Sequence, residues 1–278
     1  MRYILFNPIS NAGKSSESLG KLQDLLKEDF TVLSVLVTDA KELVRALEPK
    51  DEIILVGGDG TLNHFINDVE GICPKNNVYL WASGTGNDFL KDINRKAEEL
   101  VLLNDYLKDL PVVTVNGEKR YFINGIGYGI DGFCCEEADK MRAKHKEKIN
   151  YTAIAIKGLI YKFHRKVASV EVDGVKLDYK WVWLAPTMKG RYFGGGMMIA
   201  PDQDRLAEDH SLTSVVFTGK SKFMTLLRFP KIFEGAHVNF KNTTIRKGHS
   251  FKVKFTKPCA LQVDGETYLN VLEYEVKA

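Results

Sequence analysis

The residues best suited to chemistry stand in one short stretch, Gly57-Gly58-Asp59-Gly60-Thr61-Leu62-Asn63. Four apolar residues, 53–56, precede it and favour a strand buried on both faces, and apolar residues recur at helical spacing from 62 to 69. We therefore predict a strand, a glycine turn and a helix over about 61–69, with Thr61 as the helix N-cap. Backbone N–H groups gathered at a helix N-terminus bind anions, most commonly phosphate, so this stretch predicts a phosphate-binding loop.

Asp59 is the one acidic residue of this loop, and a carboxylate is poorly placed to bind a bare phosphate group. Its presence favours a loop that also serves a metal ion or a reacting hydroxyl group. The alternative interpretation is a tight turn between a strand and a helix, with no ligand. Three glycines argue against this alternative, because one glycine usually suffices for such a turn.

A second glycine loop, Ser83-Gly84-Thr85-Gly86-Asn87-Asp88-Phe89, follows a predicted strand at 77–82 and precedes a predicted helix. The carboxyl ends of successive parallel strands meet at one edge of a sheet, which is where open α/β sheets bind their ligands. Either loop alone is weak evidence for a site. Together with a polar loop after the first predicted strand, they indicate one ligand site at this edge.

The elements that must position these loops follow from the apolar pattern of the first 110 residues. Strands are predicted at 3–6, 31–37, 53–56 and 77–82, and helices at about 16–27, 41–47 and 61–69. Strands that alternate with helices favour a parallel sheet with right-handed crossovers. We therefore predict an α/β domain over residues 1–110.

The pattern changes after residue 110, where hairpin turns such as Asn116-Gly117 and Asp173-Gly174 separate short apolar segments. The predicted strands are 112–116, 120–125, 168–172, 175–185, 214–218, 250–256, 260–264 and 268–276, and only 134–166 and about 221–229 favour helix. We predict a second domain over residues 111–278, an antiparallel β-sandwich. We also predict that the active site lies in a cleft between the two domains.

The composition is that of an ordinary globular protein, since 44% of the 278 residues are hydrophobic and 27% are charged. The sequence contains no run of about 18 apolar residues that would span a membrane. The first residues turn polar too early for a signal peptide, and the four cysteines show no metal-binding spacing. We therefore expect a cytosolic protein with reduced thiols.

A basic segment runs from Lys140 to Lys166, where nine Lys or Arg residues stand against Glu147 alone, a local charge of about +8 in a chain of +3. Apolar residues are interleaved with this charge: Tyr151, Ile154, Ile156, Leu159, Ile160 and Phe163. Such a segment favours a helix at the surface of an anionic membrane, and the alternative is a helix packed on the core with a solvated charged face. No nucleic-acid partner is expected, because no recognition motif accompanies the charge.

Five motifs occur in order along the chain: Asn7-Pro8, the loop 57–63, the loop 83–89, Asn124 with Gly127-Tyr128-Gly129-Ile130-Asp131, and Asp264-Gly265-Glu266. With this ordered set the chain resembles the diacylglycerol kinase catalytic-domain family, especially its soluble bacterial lipid kinases. The resemblance covers nearly the whole length. It implies an N-terminal α/β nucleotide domain, a C-terminal β-sandwich domain and ATP-dependent phosphorylation of a lipid hydroxyl group, with diacylglycerol as the first candidate substrate.

The resemblance also implies roles for single residues. The loop 57–63 would hold the ATP phosphates through backbone N–H groups, and Asn7, Thr38 and Thr85 match other nucleotide contacts. Glu266 matches the position proposed as proton acceptor, and Asp264 lies on the same side of the chain if this segment is extended. Our hypothesis is that Glu266 accepts the proton of the lipid hydroxyl group, while Asp59 and Asp264 help to place magnesium and substrate. Taken alone, Asp264-Gly265-Glu266 favours an ordinary hairpin turn.

A structural magnesium site is implied by the same resemblance, in the stretch 200–212. There Asp209 and the backbone carbonyl groups of Leu206 and Ser211 would supply hard oxygen ligands. The family usually has glycine where this chain has His210, a departure that bears on the geometry of the loop.

The leading hypothesis is thus a cytoplasmic lipid kinase, peripherally bound to an anionic membrane, that uses ATP and Mg²⁺. One alternative is a NAD kinase, which also carries a Gly-Gly-Asp-Gly-Thr loop and a β-rich second domain; the loop 83–89 and the basic segment favour the lipid enzymes. The other alternative is a catalytically weak lipid-binding or regulatory protein on the same fold. The presence of Asp59, Asp264 and Glu266 argues against it, and the sequence leaves open whether the protein is a homodimer.

Overall fold

The computed structural model describes residues 1–8, 15–27, 30–83, 87–144 and 151–278, with the backbone alone for Ser15 and Thr152. The chain forms two compact units, Met1–Leu110 and Pro111–Ala278, called here the N-terminal unit and the C-terminal unit. The first contains a largely parallel sheet with helices, and the second contains an antiparallel sheet. The predicted fold class is confirmed.

The N-terminal unit is built on a five-stranded sheet. Its strands are β1 (Arg2–Phe6), β2 (Phe30–Ser34), β3 (Glu52–Gly57), β4 (Asn77–Ala82) and β5 (Leu100–Leu102). Their spatial order is β2-β1-β3-β4-β5, with the first four parallel and β5 antiparallel to β4. The helices are α1 (Ser15–Leu26), α2 (Ala40–Ala46), α3 (Asp59–Asp68) and α4 (Asp88–Asp92), with a 3₁₀ turn at Asn104–Leu107.

β3 lies at the centre of this unit because its side chains are apolar on both faces. All four residues of 53–56 are completely buried, as expected for a strand of a parallel sheet that is covered on both sides. On one face Ile54 and Val56 pack with Trp81 of β4. The Trp81 indole N–H donates to the Ser18 hydroxyl oxygen (3.0 Å), which fixes α1 onto the sheet.

Two predicted boundaries in this unit were wrong. β2 ends at Ser34 rather than at residue 37, because the Ser34 carbonyl accepts the N–H groups of Val37 (3.2 Å) and Thr38 (3.1 Å) and the chain turns there. The helix after the glycine turn begins at Asp59 rather than at Thr61, and its N-cap is Gly58. Thr61 cannot be the N-cap, since its side chain is buried within the first helical turn.

The C-terminal unit contains twelve strands in the part of the chain that is described. They are β6 (Val112–Val115), β7 (Glu118–Tyr121), β8 (Gly125–Tyr128), β9 (Lys166–Val172), β10 (Val175–Leu184), β11 (Thr187–Met188), β12 (Tyr192–Phe193), β13 (Met197–Met198), β14 (Leu212–Thr218), β15 (Thr243–Gly248), β16 (Ser250–Val263) and β17 (Glu266–Lys277). β12 and β13 form a separate hairpin, and the others form one sheet. β16 pairs with β17 and β8 and also with β9, so the sheet curves back on itself around an apolar core.

The helices of this unit are α5 (Ile130–Arg142), α6 (Tyr151–Lys157) and α7 (Lys222–Arg228), with a π-helical turn at Gly158–Lys162 and 3₁₀ turns at Phe229–Ile232 and Ala236–Asn239. Helix was predicted over 134–166, and the described part of this segment contains most of α5, α6 and the π-helical turn. The helical structure does not reach residue 166, because Lys166 already begins β9, and residues 145–150 lie outside the described residues. The strands predicted at 250–256 and 260–264 are one strand, β16. A register shift between Lys254 and Cys259 accommodates Pro258 within it.

Candidate active site

The parallel strands of the N-terminal unit end in one row. The register aligns Phe6 of β1 with Val56 of β3 and Val56 with Trp81 of β4, so Asn7 and Gly57 both stand at the carboxyl edge of the sheet. The strand order reverses between β1 and β3, since β2 lies beyond β1 and β4 lies beyond β3. Open α/β sheets bind ligands in the crevice at such a reversal. Of the predicted contacts, Asn7 directly follows β1 and Gly57 is the last residue of β3, the two strands that flank this reversal.

The N-terminus of α3 carries the backbone donors expected of an anion site. Its N-cap, Gly58, has no side chain with which to cap the first turn, and the Leu62 N–H donates to the Gly58 carbonyl (3.1 Å). The N–H groups of 59–61 therefore precede the hydrogen-bond ladder of the helix, at the positive end of its dipole. Leu62 and Asn63 differ from them, because both side chains are buried and the Leu62 N–H already serves the helix.

The three glycines of this loop are required for different reasons. A β-carbon at Gly57 would lie 2.0 Å from Thr61 Oγ1, and one at Gly58 would lie 2.9 Å from Asn87 Oδ1, so packing within the protein keeps both positions small. A β-carbon at Gly60 would meet no described atom within 4 Å. Glycine inside a helix is about 0.5–1 kcal/mol less favourable than alanine, so Gly60 has a cost that internal packing does not explain. The close approach of a ligand to the backbone would explain it.

Asp59 connects the first glycine loop with the second. Its carboxylate accepts the N–H groups of Asp88 (2.7 Å) and Phe89 (3.2 Å), the first two residues of α4. This carboxylate therefore holds the start of α4 beside the start of α3. The structure thus gives Asp59 a loop-positioning role, and its action on metal and substrate stays a prediction.

The other predicted nucleotide contacts lie around the same edge. Thr38 follows the turn after β2 and lines a shallow pocket together with Thr61 and His64. Thr85 lies outside the described residues. Sequence reasoning missed Ser83, directly after β4, whose N–H donates to the Gly57 carbonyl (3.1 Å) and whose buried hydroxyl group has no hydrogen-bond partner within the described ranges. Burying an unpaired hydroxyl group is unfavourable, so Ser83 is a further candidate for contact with a ligand.

In the C-terminal unit, Asp264 and Gly265 form the two-residue turn of the β16–β17 hairpin, with φ of 47° and 96°. The Asp264 carboxylate accepts three consecutive backbone N–H groups from segment 123–125, at 2.7, 2.9 and 2.8 Å. The stretch is therefore not extended, so the condition for Asp264 and Glu266 to lie on one side is not met, and the alternative of a hairpin turn describes its backbone. The chain reverses at Asp264, whose carboxylate ties the hairpin to the strand β8 beside it.

Glu266, the predicted proton acceptor, is exposed as the first residue of β17. Behind it the buried Gln262 side chain donates to Asp131 Oδ2 (2.9 Å) and accepts the Gly265 N–H (2.6 Å). Asp131 is itself only 5% exposed, at the start of α5. The residue directly before Glu266 is thus fixed by a buried amide and a buried carboxylate. The sequence drew attention to Asp131 within a motif but gave no signal for Gln262, because the two lie 131 residues apart.

A buried arginine holds the same segment from another direction. The Arg205 guanidinium donates to the Ile123 carbonyl (3.2 Å) and to Asn124 Oδ1 (3.0 Å). Segment 123–125 is therefore bound to Asp264 through its N–H groups and to Arg205 through its oxygen atoms. No sequence signal predicted this role for Arg205.

The predicted magnesium loop is closed by its own hydrogen bonds. Asp209 is exposed, and hydrogen bonds from the Ser211 backbone N–H (3.1 Å) and hydroxyl group hold the pKa of its carboxyl group below the ordinary value. The Ser211 carbonyl accepts the side-chain amide of Gln203 (2.9 Å), and His210 has a φ of 54°, where glycine would be unstrained.

The ligand types at this loop suit magnesium. One carboxylate, from Asp209, and the carbonyl groups of Leu206 and Ser211 are the hard oxygen ligands that Mg²⁺ prefers, with water molecules completing six. No cluster of three His, Cys, Asp or Glu side chains that could hold a metal occurs in the described part of the chain. One carboxylate and two carbonyl groups leave places for water, so this donor set fits a partly hydrated magnesium ion. The assignment of the metal to this loop stays a prediction.

Both units match models of known families. Residues 2–112 match the diacylglycerol kinase catalytic domain, and residues 124–273 match the YegS C-terminal NAD kinase beta sandwich-like domain. The second match alone covers more than half of the chain. Within the described ranges, no helix is long and apolar enough to cross a membrane.

Individual proteins agree with these models at low identity. A diacylglycerol kinase of Bacillus subtilis is 24% identical over 277 residues, which cover 95% of this chain and 88% of that protein. A diacylglycerol kinase of Mycobacterium tuberculosis is 24% identical over 264 residues, covering 90% and 84%. The crystal structure of a diacylglycerol kinase from Bacillus anthracis superposes with a TM-score of 0.67 at 21% identity and covers 99% of this chain and 93% of that one, a likeness of fold.

Proposed function

Because the chain belongs to the family that joins a diacylglycerol kinase catalytic domain to a YegS-type C-terminal domain, we propose that it is an ATP-dependent lipid kinase. In this proposal the phosphoryl group passes from ATP to the free hydroxyl group of diacylglycerol, and the products are phosphatidic acid and ADP. The observation that carries the proposal is the N-terminus of α3, where Gly60 leaves the backbone open at the ligand-binding edge of a parallel sheet.

The N-terminal unit would bind the nucleotide. The N–H groups of 59–61 would face the phosphates, because a helix N-terminus attracts negative charge. Asn7, Thr38, Ser83 and Thr85 are the proposed polar contacts around them. A magnesium ion, when bound, would neutralise phosphate charge, and Asp59 is the acid of this loop that would help to place it.

The C-terminal unit would supply the proton acceptor. Glu266 would take the proton of the lipid hydroxyl group while the new O–P bond forms and the bond between the β- and γ-phosphates breaks. Phosphoryl transfer depends mainly on positioning, and the Gln262 amide and the Asp264 turn fix the backbone at Glu266. Asp264 and Asp131 would therefore act as positioning residues rather than as proton acceptors.

The test is a transfer assay with γ-labelled ATP, magnesium and a panel of acceptors: diacylglycerol, a sphingoid base, phosphatidylglycerol and NAD. We expect label on diacylglycerol, and loss of that label in Glu266→Gln with an unchanged melting temperature, because Glu266 is exposed. Label on NAD alone would favour the NAD kinase alternative. Tight lipid binding without any transfer would favour the regulatory alternative, and either result would overturn the proposal.

Location follows from the substrate in this proposal. Diacylglycerol resides in membranes, so the enzyme would be a cytoplasmic protein that associates peripherally with an anionic bilayer. Fractionation of cells should then find the protein divided between cytosol and membranes, and release from the membranes by salt would mark the association as electrostatic.

A further inference from the structure

Six large apolar side chains are exposed on three neighbouring elements of the C-terminal unit, and we call them the apolar face: Ile160, Tyr161, Trp181, Phe223, Met224 and Leu227. Tyr161 is 74% exposed and Phe223 is 68% exposed. They come from the π-helical turn at Gly158–Lys162, from β10 and from α7. Single exposed apolar residues are common on proteins, but a group of this size marks a binding surface.

Polar contacts show that these elements adjoin one another. The Lys222 ammonium group donates to the Ile160 carbonyl (3.1 Å), which joins α7 to the π-helical turn. The Lys220 ammonium group lies 4.5 Å from the centre of the Trp181 ring, and the Arg165 guanidinium donates to the Lys220 carbonyl. The apolar face is therefore one continuous surface with cations placed between its apolar side chains.

Trp181 is held outward at a cost in backbone strain. It lies where the β9–β10 register shifts, and its φ is 56°, a left-handed conformation that is unfavourable for a residue of this size. The ring is nevertheless 38% exposed rather than packed in the core. Tryptophan and tyrosine are enriched where proteins meet the head-group region of membranes, since their rings are apolar with one polar atom.

The two segments that supply most of the apolar face carry charge of one sign. Segments 151–166 and 218–233, which supply five of its six residues, contain eight Lys or Arg residues and no Asp or Glu. Two of these cations form salt bridges with acidic residues outside the two segments: Lys162 with Glu137 (2.6 Å) and Lys231 with Glu234 (2.9 Å). The other six give a basic rim. Such a rim complements an anionic surface and would oppose the approach of a second copy of itself.

The membrane helix predicted from residues 140–166 overlaps the apolar face only in part. Ile154, Leu159 and Phe163 of its apolar stripe are buried in the core of the C-terminal unit. At its start Lys140 and Arg142 are paired with acids of their own helix. In the described part of that segment, the packed-helix alternative fits the buried residues, whereas Ile160 and Tyr161 belong to the apolar face.

We propose that the apolar face docks onto the surface of an anionic phospholipid bilayer, with Tyr161, Trp181 and Phe223 entering the head-group region and Lys220 and Lys222 facing lipid phosphates. This proposal rests on the proposed function only in that a lipid kinase must reach a membrane. A partner protein and a second copy of this chain are the competing occupants. The side chains named here are exposed, so their replacement should leave the fold intact.

The first experiment is co-sedimentation of the full chain with phosphatidylglycerol vesicles and with phosphatidylcholine vesicles. We expect binding to the anionic vesicles and at least tenfold weaker binding for Tyr161→Ser/Phe223→Ser. The control Val37→Ser/Ile72→Ser removes two exposed apolar side chains from the N-terminal unit and should bind as the unchanged protein does. Lys220→Gln/Lys222→Gln should lose about fivefold per charge at low salt and little at 0.5 M salt.

Transfer assays separate this proposal from the kinase proposal. With short-chain diacylglycerol dispersed in water, Tyr161→Ser/Phe223→Ser should keep full activity, and with diacylglycerol in anionic vesicles it should lose it. Vesicle binding is decisive even if no transfer is found for any variant. Unchanged vesicle binding in both double variants would overturn the docking surface. So would light scattering that showed a dimer dissociated by Tyr161→Ser/Phe223→Ser while vesicle binding persisted.

Discussion

Replacing Gly60 with alanine should separate the stability of the protein from its affinity for nucleotide. The new methyl group would meet no described atom within 4 Å, so it creates no clash with the part of the protein that the structure describes. Alanine is favoured over glycine in a helix by about 0.5–1 kcal/mol. The free energy of unfolding should therefore rise by up to this amount, and Tm should rise by about 1–4 °C.

The same methyl group should weaken the binding of ATP, because it would occupy the space beside the N–H groups of 59–61. A hydrogen bond to a charged group contributes about 1.5–3 kcal/mol, so the loss of one phosphate contact corresponds to roughly 10- to 150-fold in affinity. The two effects have opposite signs. A substitution that merely disturbed the fold would lower both quantities together.

Gly20 offers a matched control. It lies inside α1, and a β-carbon there would also meet no described atom within 4 Å. Gly20→Ala should raise Tm as Gly60→Ala does, without any change in the KM for ATP. Thermal unfolding gives the first quantity for both variants, and calorimetric titration with ATP and magnesium, or KM in the transfer assay, gives the second.

Two outcomes would refute the reasoning. If the Gly60→Ala variant is more stable and binds ATP as the unchanged protein does, the phosphates do not bind at the N-terminus of α3. A variant that is less stable would show that the space beside Gly60 is occupied in the folded protein. Gly57→Ala is no substitute for this experiment, because its β-carbon would clash with Thr61 and unfold the loop.

Three further predictions concern the C-terminal unit. Asp264→Asn should lower the free energy of unfolding by about 1–3 kcal/mol, because an amide oxygen cannot accept all three N–H groups of 123–125. Glu266→Gln should leave Tm unchanged. Equal Tm values for the two variants would contradict this prediction. Magnesium chloride should raise the Tm of the protein and not that of Asp209→Asn if the loop binds the metal. Burial raises the pKa of the Cys259 thiol to about 11, so its alkylation, followed by mass spectrometry, should accelerate about tenfold per pH unit up to that value; a plateau near pH 8.5 would refute it.

The N-terminal unit could be predicted largely from local pattern. The apolar run 53–56 specifies a doubly buried strand by itself, and the glycine loop after it specifies a turn into a helix. The two boundary errors were of two or three residues, and each had a local cause that the pattern does not contain, whereas the short antiparallel strand β5 was not predicted at all. Ser34 ends β2 through turn hydrogen bonds, and Thr61 packs inward although threonine is a favourable N-cap.

The C-terminal unit was predictable as an antiparallel domain, and α7 lies where a helix was predicted, at about 221–229, but the helix boundaries within 134–166 were not predictable. The basic segment 140–166 has helical composition throughout, yet α5 ends at Arg142 and Lys166 already begins β9. Short-range pattern cannot anticipate such an ending, because the burial of Leu159 and Phe163 depends on partners from distant strands. For the same reason the local pattern did not show that the two strands predicted at 250–256 and 260–264 are one strand, β16, which continues through Pro258.

The candidate site was predictable in its motifs and not in its supports. Motif residues that follow strands were identified from spacing, whereas Gln262 and Arg205 gave no signal. The hydrogen bond of Gln262 joins residues 131 positions apart in the sequence, and the two hydrogen bonds of Arg205 join residues 82 and 81 positions apart. Nothing in the sequence next to either residue marks it as unusual. Ser83 stood within a glycine loop, but it is distinguished from a simple turn residue only by its buried hydroxyl group, which has no hydrogen-bond partner among the described residues.

The three acids selected from the sequence as catalytic fall into two kinds. Asp59 and Asp264 each direct their carboxylates at backbone N–H groups of another segment, the start of α4 in one case and segment 123–125 in the other. A carboxylate that accepts two or three such hydrogen bonds is stabilised in its charged form and is a poor proton acceptor. Glu266 is exposed and stands next to a turn whose backbone is fixed from behind. The proton should therefore pass to Glu266, while substitutions of Asp59 and Asp264 should reduce activity and stability together.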